Sequence, residues 1–248
     1  MAKLAALGRW CLLLLQTLIA VVSPPYFPRQ IWRSMRIVGI ETVAPVVTVM
    51  AFMGMIAALQ GLVVLRLFGA ERLLAGMITQ AIIRDLAPAM TALMLAAQVG
   101  TAIAGEIGAM RTSEELAALR VLATNPVRYL VVPWFLALAL LAPLLTGMGA
   151  TAALGGSFVV AVSLHGAAMG PFVAELVAQI TGATLWEASS KALVFGAVIS
   201  LIACHHGLEA RTDAQGVGRA ANATIVQGVI VIAAVNAMMA VVLLKAGA

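Results

Sequence analysis

LAPAMTALMLAAQVGTAIAG, residues 86–105, is followed at once by EIGAMRTSEELAALRVLATNPVR, residues 106–128. The first segment has no charged residue between Asp85 and Glu106, and its length matches the roughly 20 apolar positions a helix needs to cross a bilayer. The second is dense in charge and reads as a short helix. Thr112 with Glu115 three residues later spells a capping box. Asn125-Pro126 closes the helix, because the residue before proline avoids helical geometry. About 12 residues at about 1.5 Å each give about 18 Å, too short to span. Leu116, Leu119 and Leu122 form one apolar stripe, and Arg111 stands at i, i+4 to Glu115. A span followed by a surface helix indicates an all-α integral membrane protein.

The rest of the chain repeats the pattern. Of 248 residues, 63% are hydrophobic and 10% charged, against about 25% charged in soluble domains. The long unbroken apolar runs lack the alternation of outer-membrane barrel strands, so helices remain as the way to satisfy backbone groups in lipid. Charge-free runs cover 42–65, 86–105, 129–174, 192–208 and 220–244. They predict five spans, near 43–66, 73–105, 128–160, 188–207 and 220–245. The third run allows one span or two, with a hairpin at Gly147–Gly156 as the alternative. Pro171, Glu175 and Gln179 favour one long helix followed by a surface segment over His165–Thr184.

The N-terminus offers a second choice. Trp10–Val22 is a 13-residue apolar stretch stopped by Ser23-Pro24-Pro25, a length that suits a signal-peptide core or an interfacial helix. Arg29, Arg33, Arg36 and Trp32 suit the headgroup layer, which favours an uncleaved interfacial helix. The expected organisation is one membrane domain over 1–248, with an interfacial region over 1–40 and a five-span bundle over 41–248.

Net charge is +5. Without a dense basic tract or a series of stacking aromatics, this points to loop arginines of a membrane protein, not to nucleic acid. Lys3, Arg9, Arg29, Arg33, Arg36, Arg111, Arg120, Arg128, Arg211 and Arg219 all fall on one side of a five-span arrangement, while Arg66 and Arg72 face the other. The positive-inside rule then places the N-terminus in the cytoplasm and the C-terminus outside. Cys11 and Cys204 have no metal or redox spacing and read as small apolar fillers.

A few polar residues lie inside the apolar segments. Arg84 and Asp85 precede the 86–105 run, and an ionisable group at the centre of a membrane costs about 2.5–3.5 kcal/mol on insertion scales. They read either as a mutually neutralised pair near the outer interface or as the polar rim of a cavity, where Arg84 can meet a phosphate. Lys191 opens the fourth span and either snorkels or pairs with Glu187 or Asp85. Asn236 sits in the fifth span as a packing or interhelical hydrogen-bonding residue. Two patterns are imitations. Gly216-Val217-Gly218 with Ala221 lacks the strand and βαβ unit of a dinucleotide fingerprint. His205, His206 and Glu209 lack a third suitably spaced ligand.

EIGAMRTSEELAALRVLATNPVRYLVVP resembles the signature of MlaE-family permeases. IIRDLAPAMTALMLAAQVGTAIAGEIG upstream, KALVFGAVISLIACHHGLEARTDAQGVGRAANATIV downstream and LQGLVVLRLFGAE before them are also similar to this family, in the family's order. Departures stand at Gln98 and Trp134, where arginines are common, at Asp85 for a usual Glu, and at Asp213 in a usually Gly-rich turn.

The resemblance implies a permease subunit of an ATP-driven ABC transporter. It would move phospholipid or a related lipid between the inner and outer membranes of a bacterial envelope, from a seat in the inner membrane. It implies a dimer of the chain with a second copy and a cytoplasmic ABC ATPase dimer that binds ATP and Mg. The permease itself would have no cofactor, no metal and no catalytic residue. It further implies a periplasmic MCE-domain protein and a small STAS-domain protein on the ATPase. The short helix, with Glu106, Met110, Arg111, Glu114, Glu115 and Leu119, would be the coupling helix. The family's outward-open lipid pocket falls on Ala57, Val64, Leu65, Phe68, Arg84 and Asp85. The rival expectations are an intramembrane lipid-modifying enzyme, which would need acid, base or nucleophile groups converging at one depth, and a passive membrane scaffold.

Overall fold

Pro28 opens the first helix at a position where a missing N–H breaks no bond. Helix α1 then runs from Pro28 to Leu67. The computed structural model describes residues 15–17, 19–20, 27–69, 74–122, 125–164 and 169–246. The remaining described helices are α2 (Leu74–Thr112), α3 (Glu115–Val121), α4 (Val127–Ser163), α5 (Met169–Ala178), α6 (Gly182–Glu209) and α7 (Ala214–Ala246). Five of these, α1, α2, α4, α6 and α7, are long and apolar enough to cross a membrane. The predicted fold class and span count therefore stand.

Two boundaries differ from expectation, and one open choice is decided. The segment 28–40, expected as a separate interfacial piece, is continuous with the first span. At about 1.5 Å per residue the 40-residue α1 is far longer than a hydrocarbon core of about 30 Å, so its first turns stand clear of the apolar layer. Most of Trp10–Val22 lies outside the described residues. The favoured reading of the run 129–174 is borne out: one long helix, α4, ends at Ser163, and the α5 segment comes after it. Gly147–Gly156 is helical throughout, and Gly149 and Gly156 serve contact instead of turning. A methyl at Gly156 would lie 2.1 Å from the Ala51 carbonyl oxygen, and one at Gly54 would lie 1.8 Å from that of Ala153. Helices α1 and α4 thus meet backbone to backbone, as small residues permit in lipid.

The second difference is at the short helix. Thr112 is not its N-cap. It ends α2, and its hydroxyl donates back to the Gly108 carbonyl at 3.0 Å. The break falls at Ser113 and Glu114, whose φ of 61° is left-handed. Helix α3 has seven residues rather than about 12. The expected Arg111–Glu115 pair does not form across this break. The Arg111 guanidinium donates to the Leu208 carbonyl, and Glu115 accepts from the Ser113 hydroxyl at 3.0 Å.

The helix ends sort into two groups. At one end Arg33 pairs with Glu106 at 3.1 Å, Arg111 reaches the end of α6, and Phe27 packs edge-on against Tyr129. Arg29, Arg36, Arg120, Arg128, Arg211 and Arg219 occupy the segments at this basic end. A core of Val38, Ile103, Ile107, Leu138, Ile199 and Cys204 lies inside it, so Cys204 is an apolar filler as read. At the opposite end a second core gathers Met50, Leu62, Ile78, Ile82, Leu154 and Phe172. There the Gln80 side chain donates to that of Gln179 at 3.0 Å, tying the α5 segment to α2.

A charged rim beside an apolar groove

Proline again sets the local structure. Pro88 has no N–H to offer the Arg84 carbonyl four residues back, and its ring crowds that carbonyl. The chain widens into a π-turn over Ile82–Leu86, where the Ala87 N–H bonds to the Ile82 carbonyl. π-turns inside α-helices are frequent at functional sites. Lys191, from α6, supplies a donor in place of the missing one: its Nζ lies 2.8 Å from the Arg84 carbonyl oxygen. The same ammonium lies 3.0 Å from Asp85 Oδ1 and 3.3 Å from Glu187 Oε1. Two of the three ammonium N–H donors make hydrogen bonds, to the Arg84 carbonyl and Asp85, and the Glu187 contact is an ion pair. Lys191 is 1% exposed, so it does not snorkel; the internal pairing is the arrangement found. Glu187 is 13% exposed and spends its other oxygen on Arg84, at 3.0 Å. Two cations and two carboxylates therefore close one network between α2 and α6, which offsets the cost of burying Lys191.

An apolar groove of about 340 Å³ adjoins this network between α1 and α2. Ala57, Gln60, Gly61, Val64 and Leu65 line it from α1, and Leu74, Met77, Ile78 and Ala81 from α2. Met77 and Ala81 also line the neighbouring cavity of about 370 Å³, whose walls include Gln80, Arg84, Asp85, Glu187, Lys191 and Ala240. Of the sequence-predicted residues, Ala57, Val64 and Leu65 face the groove and Arg84 and Asp85 the rim. Phe68 follows the last turn of α1, exposed and outside the groove lining. Sequence reasoning missed the α2 wall. Its signal was present, since Leu74, Met77, Ile78 and Ala81 recur at helical spacing.

At the basic end, Glu106 is held by Arg33, while Glu114 and Glu115 are exposed and Met110, Arg111 and Leu119 are half-buried. Leu116 turns inward, whereas Val121 and Leu122 are 86% and 73% exposed. A cavity of about 800 Å³ flanks α3, with Arg111, Glu114, Leu116, Asn125 and Arg128 in its wall. The predicted coupling residues thus surround one exposed short helix.

The other singled-out residues have structural roles. Asp213 caps α7, accepting the Gly216 N–H at 3.1 Å and Arg219 at 3.2 Å, a normal N-cap arrangement. Gly216 and Gly218 lie in the first turns of α7 after a helix, not after a strand. His205 meets Glu209 at 3.5 Å and His206 meets Gln227 at 2.9 Å. Among the described residues, buried Trp134 Nε1 lacks an acceptor and Asn236 Oδ1 lacks a donor. Gln98 is exposed. The cap of α6 went unread: Thr181 and Thr184 form a reciprocal capping box.

The family described as Permease MlaE matches residues 31–242. A probable ABC transporter permease protein of Synechocystis sp. is 35% identical over 82% of this chain and 78% of its own length. A probable ABC transporter permease protein of Rickettsia bellii is 29% identical over 92% of this chain and 88% of its own. The intermembrane phospholipid transport system permease protein MlaE of Haemophilus influenzae is 28% identical over 98% of this chain and 93% of its own. The match spans all five long helices, and the chain belongs to the MlaE permease family as an ABC transporter permease subunit rather than an enzyme.

Proposed function

We propose that this chain moves phospholipid between the inner and outer membranes of a bacterial envelope, driven by ATP hydrolysis in a partner. The observation that carries this reading is the apolar groove opening onto a charged rim at one end of the bundle. Acyl tails need an apolar wall, and a phosphate needs a guanidinium with free N–H groups. The groove and Arg84 supply the two side by side. The name of the Haemophilus influenzae relative supports the same cargo.

An ABC transporter permease implies an ATPase partner. In this proposal α3 is seated in a groove of that ATPase, with Glu106, Met110, Arg111, Glu114, Glu115 and Leu119 around the contact. The basic end then faces the cytoplasm, as the positive-inside rule asks, and the rim opens toward the periplasm. The working unit is a dimer of two copies with two ATPase subunits. A periplasmic MCE-domain protein meets the outer end, and a STAS-domain protein binds the ATPase. The whole of 1–248 acts as one domain.

The test is purification of the full tagged chain with its bound proteins and lipids. The expected result is an ATPase together with phospholipid, and a severalfold loss of lipid phosphorus in Arg84→Ala. Copurified ATPase with no lipid in the native complex would leave a passive scaffold and overturn the transport reading.

A further inference from the structure

The charged network has more members than a ligand can use. Lys191 hydrogen-bonds the Arg84 carbonyl and Asp85 and pairs with Glu187 at 3.3 Å. Glu187 has both oxygens engaged, by Arg84 and Lys191. These two residues are 1% and 13% exposed. Two groups keep capacity toward the cavity. Arg84 is 38% exposed and uses one terminal nitrogen on Glu187, which leaves other N–H donors of its five. Asp85 is 61% exposed and uses Oδ1 on Lys191, which leaves Oδ2. The open face is thus one cation beside one anion, on adjacent residues of a π-turn. The network as a whole is neutral, with two positive and two negative side chains, so it carries no excess field to draw a net anionic headgroup.

We infer that the rim selects a zwitterionic phospholipid headgroup, with Arg84 on the phosphate and Asp85 on the headgroup ammonium. This rests on the transport reading above and adds the headgroup class. An anionic glycerol headgroup offers the same phosphate to Arg84 but only hydroxyls to Asp85. Both an ammonium and a hydroxyl can donate to the carboxylate, but only the ammonium adds a positive charge that compensates Asp85, so the contact is an ion pair as well as a hydrogen bond. Asp85 is therefore the discriminating residue, while Lys191 positions it. Substituting Asp85 by Asn removes the counter-charge for the ammonium and gives the network a net positive charge, which favours anionic lipid instead.

The experiment is mass spectrometry of the phospholipids that copurify with the full chain and its bound partners, from a host membrane containing both phosphatidylethanolamine and phosphatidylglycerol. The ratio of the two is compared with the ratio in the host membrane. The native chain is expected to enrich phosphatidylethanolamine roughly fivefold, the size of effect that about 1 kcal/mol produces. Asp85→Asn is expected to lose the enrichment and Asp85→Glu, which keeps the carboxylate, to retain it. Bound lipid that mirrors the membrane ratio, or an Asp85→Asn ratio equal to the native one, would overturn this inference and leave the transport reading standing. A complex free of lipid would overturn both.

Discussion

The two ends of the bundle hold their charges in opposite ways. At the rim, Arg84, Asp85, Glu187 and Lys191 share partners, and the central ammonium is sealed from solvent. At the basic end, Arg33 and Glu106 pair one to one with Arg33 more than half exposed. Glu114 and Glu115 stand free of any cation among the described residues. A shared, buried network fixes geometry, because removing one member strands the others. Exposed single pairs contribute little stability, so their side chains remain free to rearrange against another protein. Under the proposed function, the first end holds its shape around lipid and the second is gripped by the ATPase.

The difference can be broken most directly at Lys191. Lys191→Met keeps the length of the side chain but strands Glu187, Asp85 and the Arg84 carbonyl. It is expected to cost about 3 kcal/mol, read as a lowered thermal unfolding midpoint of the purified chain. A loss below about 1 kcal/mol would mean that the network is wet and exchangeable, like an exposed pair. Between the ends, Gly156→Val presses a side chain into the Ala51 carbonyl. About 2 kcal/mol is expected from such overpacking, with the same readout, and a neutral result would show that α1 and α4 can part.

The basic end predicts smaller numbers. Glu114 has a left-handed backbone, which penalises a non-glycine residue by about 1–2 kcal/mol. Glu114→Gly relieves that strain at some entropic cost and is expected to raise stability by about 0.5 kcal/mol. Arg33→Ala is expected to change it by only a few tenths of a kcal/mol, and less in high salt. If Arg33→Ala proved as damaging as Lys191→Met, the contrast between the ends would fail.

Much of the fold was legible because lipid punishes charge. Charge-free runs bounded by Arg, Asp and Glu marked the five long helices, and the side of each arginine marked the shared end. What was not legible depended on contacts distant in sequence or on choices that composition leaves open. Gly147–Gly156 on its own composition allows a hairpin or a close-packed helix face; Pro171, Glu175 and Gln179 favoured the helix, and the contact with Ala51 shows why the glycines are there. Thr112 satisfied the local pattern of a cap, yet α2 continued through it because Ile103, Ile107 and Gly108 are buried against neighbouring helices. The bond from Lys191 to the Arg84 carbonyl joins residues 107 apart. Half of it was readable all the same, since Pro88 announces an unpaired carbonyl at Arg84. The α2 wall of the groove was missed because attention fell on charges, not on the repeat of Leu74, Met77, Ile78 and Ala81.

The proposed transport requires the two ends to face opposite sides of the membrane, with α3 toward the ATPase. The most direct test places a single cysteine at Glu114, in a chain with Cys11 and Cys204 replaced, and labels it with a membrane-impermeant thiol reagent in oriented vesicles. Labelling in inside-out vesicles and protection in right-side-out ones is the predicted result. Labelling of Glu114→Cys from the periplasmic side alone would contradict the orientation, the coupling role of α3 and the outward-facing rim together.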